Sequence, residues 1–470
     1  MWRAYMENNN QENQSKGMGQ LDILNGPILS VMLQLTIPII ISYIVNDIYL
    51  MIDTFFISLI EQGSSAPVAG AGLIFPVENI FEAVSSGMAG GCCIIVGKLI
   101  GEKKYEDCKK LGSIALTIGL VIGLPFLILC YAGGPRLINA LGGSGLSKQA
   151  TEYALQYMYT IAPGVVFNII SQVVGGILIG QGLPMVTTKG FMIVTVLNTI
   201  LDPILIFVCK LGVAGAGLST TIALFCSLLY IMKNINTSKS RVKVSFDLKK
   251  VDKKYTKEVV GMGLPILLMS IIPVIMVMAY NKIISDRFGE NAMNAWALNG
   301  RVEELIIVPA IGLVSATVVF VAQNYGNKNI KRIREAIKVN SILAFAFSLV
   351  VAAVYAGIAR FLYSKFTHID EVVDLSVRQV YITAFTIGFM AVGMVAASIY
   401  QATEKPVRGL ILTSIRVMII LITGAIAIYG IGTKIDGLYW SIAIGNVLSV
   451  PIAFFCILKY LKKLKAQTKE

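Results

Sequence analysis

The 470-residue chain is poor in charged residues and in side chains that carry catalysis. Only 14% of its residues are charged and it has a single histidine, His368, whereas 56% are hydrophobic and the mean hydropathy is +0.73. So apolar a composition does not fold as a water-soluble globule, which predicts an integral membrane protein. One histidine, in a loop between apolar segments, cannot supply the clustered acids, bases or metal ligands of a membrane-bound transferase, so we do not expect an enzyme.

Other absences exclude further classes of protein. The sequence has no Gly-x-x-x-x-Gly-Lys-Ser/Thr phosphate loop, which argues against transport driven by ATP. Residues 1–25 are polar and lack the apolar core of a signal peptide, so a cytoplasmic tail is expected there. The seven cysteines show no metal-ligand spacing and are interpreted as packing residues. We expect no cofactor, only a transported ion.

The apolar segments predict twelve transmembrane helices, because about twelve spans of roughly 20 to 25 residues use up nearly the whole length. The predicted helices are 29–58, 67–99, 111–133, 152–180, 186–209, 213–234, 259–285, 293–324, 336–363, 378–401, 408–430 and 437–460. The predicted fold class is therefore all-α integral membrane.

The two halves of the chain resemble each other. Three pairs of residues align at one constant offset without a gap, namely Glu78 with Glu303, Gly87 with Gly312 and Gly101 with Gly326. Six helices per half give both copies the same orientation, related by an axis along the membrane normal, which is the plan of a two-lobed transporter. The predicted domains are a tail 1–25, an N-terminal lobe 26–235, a basic linker 236–257, a C-terminal lobe 258–461 and a tail 462–470.

Lysine and arginine concentrate in alternate loops, most densely between residues 239 and 257. The positive-inside rule then predicts that both termini are cytoplasmic. This asymmetry also explains the net charge of +13, so a nucleic-acid partner is not expected. We predict a multi-pass protein of the plasma membrane that contacts lipid and is a monomer, although the sequence does not fix the oligomeric state.

An aspartate lies deep inside one apolar helix. Asp202 falls in the stretch 194–208, where a carboxylate costs about 2.5 to 3.5 kcal/mol on insertion scales. Asn198 is four residues earlier and shares its helical face, and Tyr49 stands in the same relation to Asp53. These spacings predict a polar site, but Asp202 could instead cap a helix broken at the following proline, and Asp53 could be an interfacial acid exposed to water.

Other polar side chains have two readings each. Asp47 either lines a substrate cavity or bonds a neighbouring hydroxyl. Met269 and Met276 either fill gaps in the core or form an adaptable cavity lining, which substrate transport would use. The repeat-related Glu78 and Glu303 are interpreted as structural.

The remaining charged candidates are expected to be structural or solvated. Arg416 is expected to pair with a carboxylate or a backbone carbonyl rather than with a ligand. His368 is expected to be a solvated residue of an outer loop.

Three motifs stand out, namely Asp53-Thr-Phe-Phe-Ile at the end of the first helix, the stretch 197–207 in the fifth, and the stretch 212–220 that opens the sixth. In these motifs the sequence resembles the multidrug and toxic compound extrusion (MATE) family of cation-coupled efflux transporters. The turns 181–184 and 401–406 also look like the paired turns of the family. Ser58 departs from the pattern, since the family usually has glycine there.

The resemblance implies two six-helix lobes around a central cavity that opens alternately to each side of the membrane. It also implies an N-terminal cation site formed by Asp53, Asn198, Asp202 and Thr220, with Tyr49 lining it. The side-chain chemistry agrees, because carboxylate, amide and hydroxyl oxygens suit Na⁺, while two close carboxylates raise each other's proton affinity.

A second variant of the family places acids in the seventh and tenth helices. Here the matching position in the seventh helix is near Pro273, and the tenth span has no acid between residues 384 and 400. No C-terminal cation site of that type is therefore expected.

The predicted function is secondary active antiport, in which amphipathic and often cationic organic compounds are exported in exchange for H⁺ or Na⁺. The alternative is a lipid-linked precursor flippase of the same superfamily. Its phosphate-bearing substrate would need a cationic cavity, for which only Arg301 and Arg416 are candidates, and more than twelve helices would be expected.

Overall fold

A computed structural model describes residues 21–61, 63–141, 147–237, 240–244 and 251–467. These residues are almost entirely helical and contain no strand. Most of the predicted N-terminal tail and part of the predicted basic linker lie outside the described residues.

The first half of the chain contributes six long helices. They are α1 (Ile28–Ser58), α2 (Phe75–Gly101), α3 (Tyr105–Ala140), α4 (Lys148–Gly180), α5 (Pro184–Pro203) and α6 (Val213–Ile235). A short helix, Ala66–Gly72, precedes α2, and a π-helical turn, Ile204–Val208, extends α5.

The second half begins with a helical stretch of 74 residues, Lys253–Gly326. At 1.5 Å per residue such a helix would be about 110 Å long, far more than the roughly 30 Å of a bilayer core. Gly289 interrupts it with φ 78° and ψ −169°, a conformation that glycine adopts without steric strain. We therefore distinguish α7 (253–288) and α8 (290–326).

Four more long helices follow. They are α9 (Ile330–Phe366), α10 (Asp370–Ala402), α11 (Pro406–Ala425) and α12 (Asp436–Gln467). A 3₁₀ turn, Ala384–Thr386, lies inside α10, and a π-helical turn, Ile426–Ile431, extends α11 as its counterpart extends α5.

Eleven helical stretches among the described residues are long and apolar enough to cross a membrane, and the longest of them supplies both α7 and α8. The predicted all-α membrane fold of twelve helices in two lobes is confirmed. The predicted loop between α7 and α8 is wrong, since helix continues to either side of Gly289. Helices α3, α9 and α10 begin earlier than predicted, because hydropathy marks only the apolar part of a helix. The polar first turn of α9, for example, is capped by Asn329, whose side chain accepts from the Arg332 N–H.

Large apolar side chains cover much of the helix surface. Met51 and Phe361 are each 68% exposed and Val208 is 75% exposed. Apolar surface on this scale is unfavourable in water and favourable in lipid, so the protein is a multi-pass membrane protein.

The described residues pack into two compact units, and the change from one to the other falls inside α1. Residues from Ile41 to Leu264 belong to the first unit, whereas Ile23–Ile40 and Pro265–Glu470 form the second. The change comes two residues after Pro38, the one proline within α1. The predicted lobe boundaries at 26, 235 and 258 stay predictions.

Each part of α1 is fixed within its own unit. In the second unit the Arg332 guanidinium donates to the Ile23 carbonyl at 3.2 Å and to the Gly26 carbonyl. In the first unit the Ser42 hydroxyl donates to Thr188 Oγ1 of α5 at 2.8 Å. The two parts of one helix are thus anchored to different sets of neighbours.

Helix α4 lies at the core of the first unit. Its residues Val173, Val174 and Ile177 are fully buried in a cluster with residues of α2, α3 and α6. Gly180 lets α4 approach α2, because a Cβ at this position would stand 2.5 Å from the Cys93 carbonyl oxygen. This close packing holds α2 and α4 in a fixed relation beside α5 and α6.

Candidate cation site

Helix α5 carries the two central polar residues of the first unit. Asn198 and Asp202 are one turn apart on α5, and both side chains are fully buried. Helix continues through Asp202 and Pro203 into the π-helical turn, where the proline lacks an N–H for the α-helical ladder. Both donors to Asp202 are side chains, so the alternative in which Asp202 caps a broken helix end does not hold.

A hydrogen-bond network joins these residues to α6. The Asn198 amide nitrogen donates to Asp202 Oδ1 at 3.2 Å and to Thr220 Oγ1 at 2.9 Å. Ser219 Oγ lies 3.3 Å from the same nitrogen and also donates to Asp202 Oδ1. Asn198, Asp202 and Thr220, which the family resemblance assigns to one site, are therefore joined through the Asn198 amide, and Ser219 joins them.

Asp53 of α1 interacts electrostatically with this hydrogen-bond network through Asp202. Its side chain is only 4% exposed, so the alternative of a water-exposed interfacial acid is wrong. The Asp53 carboxylate interacts electrostatically with those of Asp202 and Glu78. Tyr49 interacts electrostatically with Asp53 and Asp202, and Tyr157 of α4 interacts with the same two acids. Helices α1, α2, α4 and α5 thus all contribute to one acidic cluster.

Four oxygen atoms of this cluster are inaccessible to solvent and have no hydrogen-bond donor among the described residues. They are Asp53 Oδ1, Glu78 Oε1, Asn198 Oδ1 and Asp202 Oδ2. A buried oxygen acceptor left without a partner costs about 1 to 3 kcal/mol, and more when it is charged. Such atoms are suited to meet a proton or a cation.

More acids extend the cluster along α1 and α2. Glu78 interacts electrostatically with Glu82, and Glu82 with Asp47. Gln172 of α4 donates to Glu82 Oε1 at 3.2 Å. Glu78 thus joins the acids around Asp53.

None of the five acids of this cluster has a Lys or Arg ion-pair partner among the described residues. In the described ranges there is also no group of three or more His, Cys, Asp or Glu side chains with metal-ligating geometry. A cation here would therefore depend on two carboxylates together with amide and hydroxyl oxygens.

The second unit has a different polar cluster around Glu303 of α8. Gln379 Nε2 of α10 lies 3.4 Å from Glu303 Oε1. Nearby, the hydroxyls of Tyr355 and Tyr363 of α9 lie 3.2 and 2.6 Å from Asn299 Oδ1 and interact electrostatically with Glu303. This repeat counterpart of Glu78 is therefore surrounded by hydroxyls and amides.

In the second unit, Gly424 of α11 and Ser441 of α12 correspond to Asp202 and Ser219 of the first. The two residues of each pair are 17 positions apart. The Tyr280 hydroxyl of α7 lies 2.5 Å from Ser441 Oγ and 3.0 Å from the Ile420 carbonyl oxygen.

The predicted cavity methionines both lie in the second unit. Met269 Sδ is 3.2 Å from Gln401 Nε2, and Met276 packs against the buried cluster around Tyr280 and Ile284. Both contacts fit a packing role, and their role toward substrate stays a prediction. His368 is exposed in the turn between α9 and α10, as expected.

Among the described residues, Arg416 has neither of the partners that the sequence suggested. Its Nη1 donates to the side-chain oxygen of Asn446 at 2.9 Å, not to a carboxylate or a backbone carbonyl. The reason is that α11 has no acid, and the one acid of α12, Asp436, lies at its start and pairs with Arg378.

Comparisons with known proteins agree with this architecture. The MatE family model matches residues 38–204 and 265–426. The multidrug export protein MepA of Staphylococcus aureus is 26% identical over 454 residues, covering 94% of this chain and 96% of the relative. MepA of Staphylococcus saprophyticus is 24% identical and covers 91% and 92%.

Solved structures show the same fold. The crystal structure of MATE in the bent conformation has a TM-score of 0.87 at 22% identity, covering 95% of this chain and 98% of that one. The outward-facing conformation of a multidrug resistance MATE family transporter has a TM-score of 0.85 at 23% identity, covering 95% and 99%. The chain therefore belongs to the MatE family, and it is an efflux transporter and not an enzyme.

Proposed function

We propose that this protein is a secondary active antiporter that exports amphipathic, often cationic organic compounds in exchange for H⁺ or Na⁺, by alternating access of its two lobes. The observation that carries the proposal is the set of buried oxygens without donors at Asp53, Asn198 and Asp202. The staphylococcal relatives, which are called multidrug export proteins, support export as the direction of transport.

The proposed coupling site consists of Asp53, Asn198, Asp202 and Thr220, with Tyr49 at its edge. One Na⁺ could take oxygen ligands from these side chains, or one proton could bind a carboxylate. Either ion would offset the repulsion of two carboxylates that burial in low dielectric strengthens. No resident cofactor is needed, because the ion itself is transported.

The driving force comes from the ion gradient in this proposal. The membrane potential supplies about 2.3 kcal/mol per charge per 100 mV, and a concentration gradient adds to it. Inward movement of one cation can therefore support uphill export of an organic compound. The absence of an ATP-binding phosphate loop from the sequence favours this source of energy.

Helix α1 is the proposed link between ion binding and alternating access. It carries Tyr49 and Asp53, and it passes from one compact unit to the other just after Pro38. An ion that removes the charge repulsion at Asp53 changes the packing of the second part of α1. The ion shifts the conformational equilibrium only by its difference in affinity for the two states.

Asp47, Met269 and Met276 are the proposed contacts of the exported compound. Asp47 is half-buried and would attract a cationic group. Methionine side chains adapt to ligands of different shape because they are unbranched and polarisable. In this proposal the substrates are small amphipathic molecules, and nucleic acid is not a partner.

In the cell we place the protein as a monomer in the plasma membrane, with both termini in the cytoplasm. The loops rich in lysine and arginine support this orientation. A C-terminal epitope should be accessible to antibody only after the cells are permeabilised. Labelling of intact cells would contradict the orientation.

The alternative, a lipid-linked precursor flippase, has weaker support. Arg416 is a half-buried cation in the second unit, whereas Arg301 is exposed. A substrate with several phosphates would need more than one buried cation, and the first unit has a cluster of acids instead. The flippase alternative would be supported if the wild-type protein translocated a lipid-linked precursor and Arg416→Gln did not.

Efflux from proteoliposomes under separately imposed pH and Na⁺ gradients tests the proposal. The wild-type protein should accelerate efflux of a cationic dye under at least one gradient, and Asp202→Asn should not. Asp286→Asn is the matched control, because Asp286 is 59% exposed and forms an ion pair with Lys282 on the surface of α7. Wild-type transport that ignores both gradients would exclude the antiporter.

A further inference from the structure

A charged residue in the middle of α11 has no part in the proposed coupling site. Arg416 shares a helical face with Leu412 and Ile420, which are 9% and 1% exposed, and not with Met418, which is 57% exposed. The guanidinium is therefore directed into the second unit rather than toward lipid. A buried or half-buried charge is costly unless it has a partner.

Two neutral side chains fix the orientation of Arg416. Asn446 of α12 accepts from Arg416 Nη1 at 2.9 Å, and its own amide nitrogen donates to Thr386 Oγ1 at 3.0 Å. The Thr386 hydroxyl in turn donates to the Thr383 carbonyl at 2.7 Å. This chain leaves the Asn446 oxygen facing Arg416, and Asn446 is only 3% exposed.

The network orients the positive charge without neutralising it. Arginine has five N–H donors in a planar fork, and Asn446 occupies one of them. Within the described ranges no carboxylate pairs with Arg416, and the acids of α10 and α12 that form ion pairs, Asp374 and Asp436, pair with Arg360 and Arg378. The guanidinium therefore presents unused donors from a preorganised position.

We propose that Arg416, Asn446 and Thr386 form a subsite for an anionic group, and that the group is the carboxylate of an exported amphiphile. This inference rests on the proposed export function. A guanidinium fork matches a carboxylate with two parallel hydrogen bonds, which a lysine ammonium cannot do. For exported compounds that carry both a carboxylate and a cationic group, the subsite assigns recognition of the carboxylate to these three residues of the second unit.

The test is equilibrium binding to the purified full-length protein in nanodiscs of neutral lipid. The probes are a fluorescent zwitterionic amphiphile with one amine and one carboxylate, and its methyl ester, which lacks the negative charge. Wild-type protein should bind the zwitterion more tightly than the ester. Arg416→Gln should weaken binding of the zwitterion about tenfold or more and leave the ester unchanged, and Arg416→Lys should recover only part of the loss.

A second variant tests the charge while keeping the arginine. Asn446→Asp has nearly the same shape and would neutralise Arg416 by an ion pair, so it should also remove the preference for the zwitterion. Arg408→Gln is the control on the same helix, since Arg408 stacks on Tyr400 and Tyr460 at its exposed start. It should bind both probes as the wild type does.

Two results would overturn the inference. Equal weakening of both probes in Arg416→Gln would show that the arginine only holds α11 and α12 together. If anionic phosphatidylglycerol in the nanodisc displaces the zwitterion from wild-type protein but not from Arg416→Gln, the subsite holds a lipid phosphate instead. Binding is measured without a gradient and efflux with one, so the two proposals can fail separately. Loss of ion coupling would refute the proposed antiport but would not change the result of the binding test.

Discussion

Asn198 and Asp202 are joined across one turn of α5 by a 3.2 Å hydrogen bond from the amide to the carboxylate. The same amide nitrogen reaches Thr220 of α6 at 2.9 Å. Because this nitrogen is engaged, the free atoms of the pair are Oδ1 of the asparagine and Oδ2 of the aspartate. The pair therefore offers two buried oxygen acceptors to the cation of the proposed coupling site.

Replacing Asp202 by asparagine should abolish gradient-driven efflux without unfolding the protein. An amide oxygen can still accept from Ser219, and removal of a buried charge lowers the cost of insertion. Efflux rates in proteoliposomes and the thermal unfolding midpoint in detergent measure the two effects. Wild-type efflux by well-folded Asp202→Asn would refute the assignment.

Asp53→Asn should weaken binding of the coupling ion by about tenfold or more, because one of two carboxylates is lost. Met276→Leu, a volume-conserving change near Pro273, should alter substrate preference at most. Na⁺ or proton binding to each purified variant distinguishes them. Unchanged ion binding in Asp53→Asn would show that Asp53 is not part of the ion-binding site.

Gly180→Ala should lower the stability of the first unit by about 1 to 3 kcal/mol, because the new Cβ would stand 2.5 Å from the Cys93 carbonyl oxygen. Gly261→Ala is the control, since no atom lies within 4 Å of a Cβ there and alanine favours helix. Thermal unfolding in detergent measures both. Equal midpoints for the two variants would show that α2 and α4 separate without cost.

The geometry of α1 around Pro38 should respond to the proposed coupling ion. Spin labels at Leu33 and Ile48, which are 39% and 44% exposed, lie on either side of Pro38 and report the distance between the two parts of the helix. Their distance distribution should change with pH or with Na⁺, and Asp53→Asn should remove that response. Identical distributions in every condition, in a transport-competent protein, would exclude α1 as the switch.

Local spacing was enough to predict that Asn198 and Asp202 lie together, but not which residues surround them. The four-residue interval from Asn198 to Asp202 places both on one helical face whatever the tertiary fold. Tyr157 could not be found in this way, because it belongs to α4 and only the tertiary fold brings it into the electrostatic field of Asp53. Ser219 was missed although it lies beside Thr220, because a serine in an apolar helix has no pattern of its own.

The partner of Arg416 was also beyond the sequence. A lone arginine in an apolar helix suggests a carboxylate partner, and only tertiary structure shows that α10 and α12 offer an amide and a hydroxyl instead. The helix count was accessible because hydropathy depends on composition. The break at Gly289 was predicted as a loop. Hydropathy does not show that helix continues on both sides of one residue with positive φ.

The Tyr280 and Ser441 pair makes the two halves of this repeat unequal. Where the first unit holds Asp202 against Ser219, the second holds Gly424, and a side chain there would collide with the Tyr280 hydroxyl. The backbone arrangement is repeated in both units, but the second unit has the neutral hydroxyl of Tyr280 where the first has the Asp202 carboxylate. If Asp202 is the ion-responsive group, the second unit has no carboxylate in the equivalent place, so the repeat preserves the architecture without duplicating the proposed ion site.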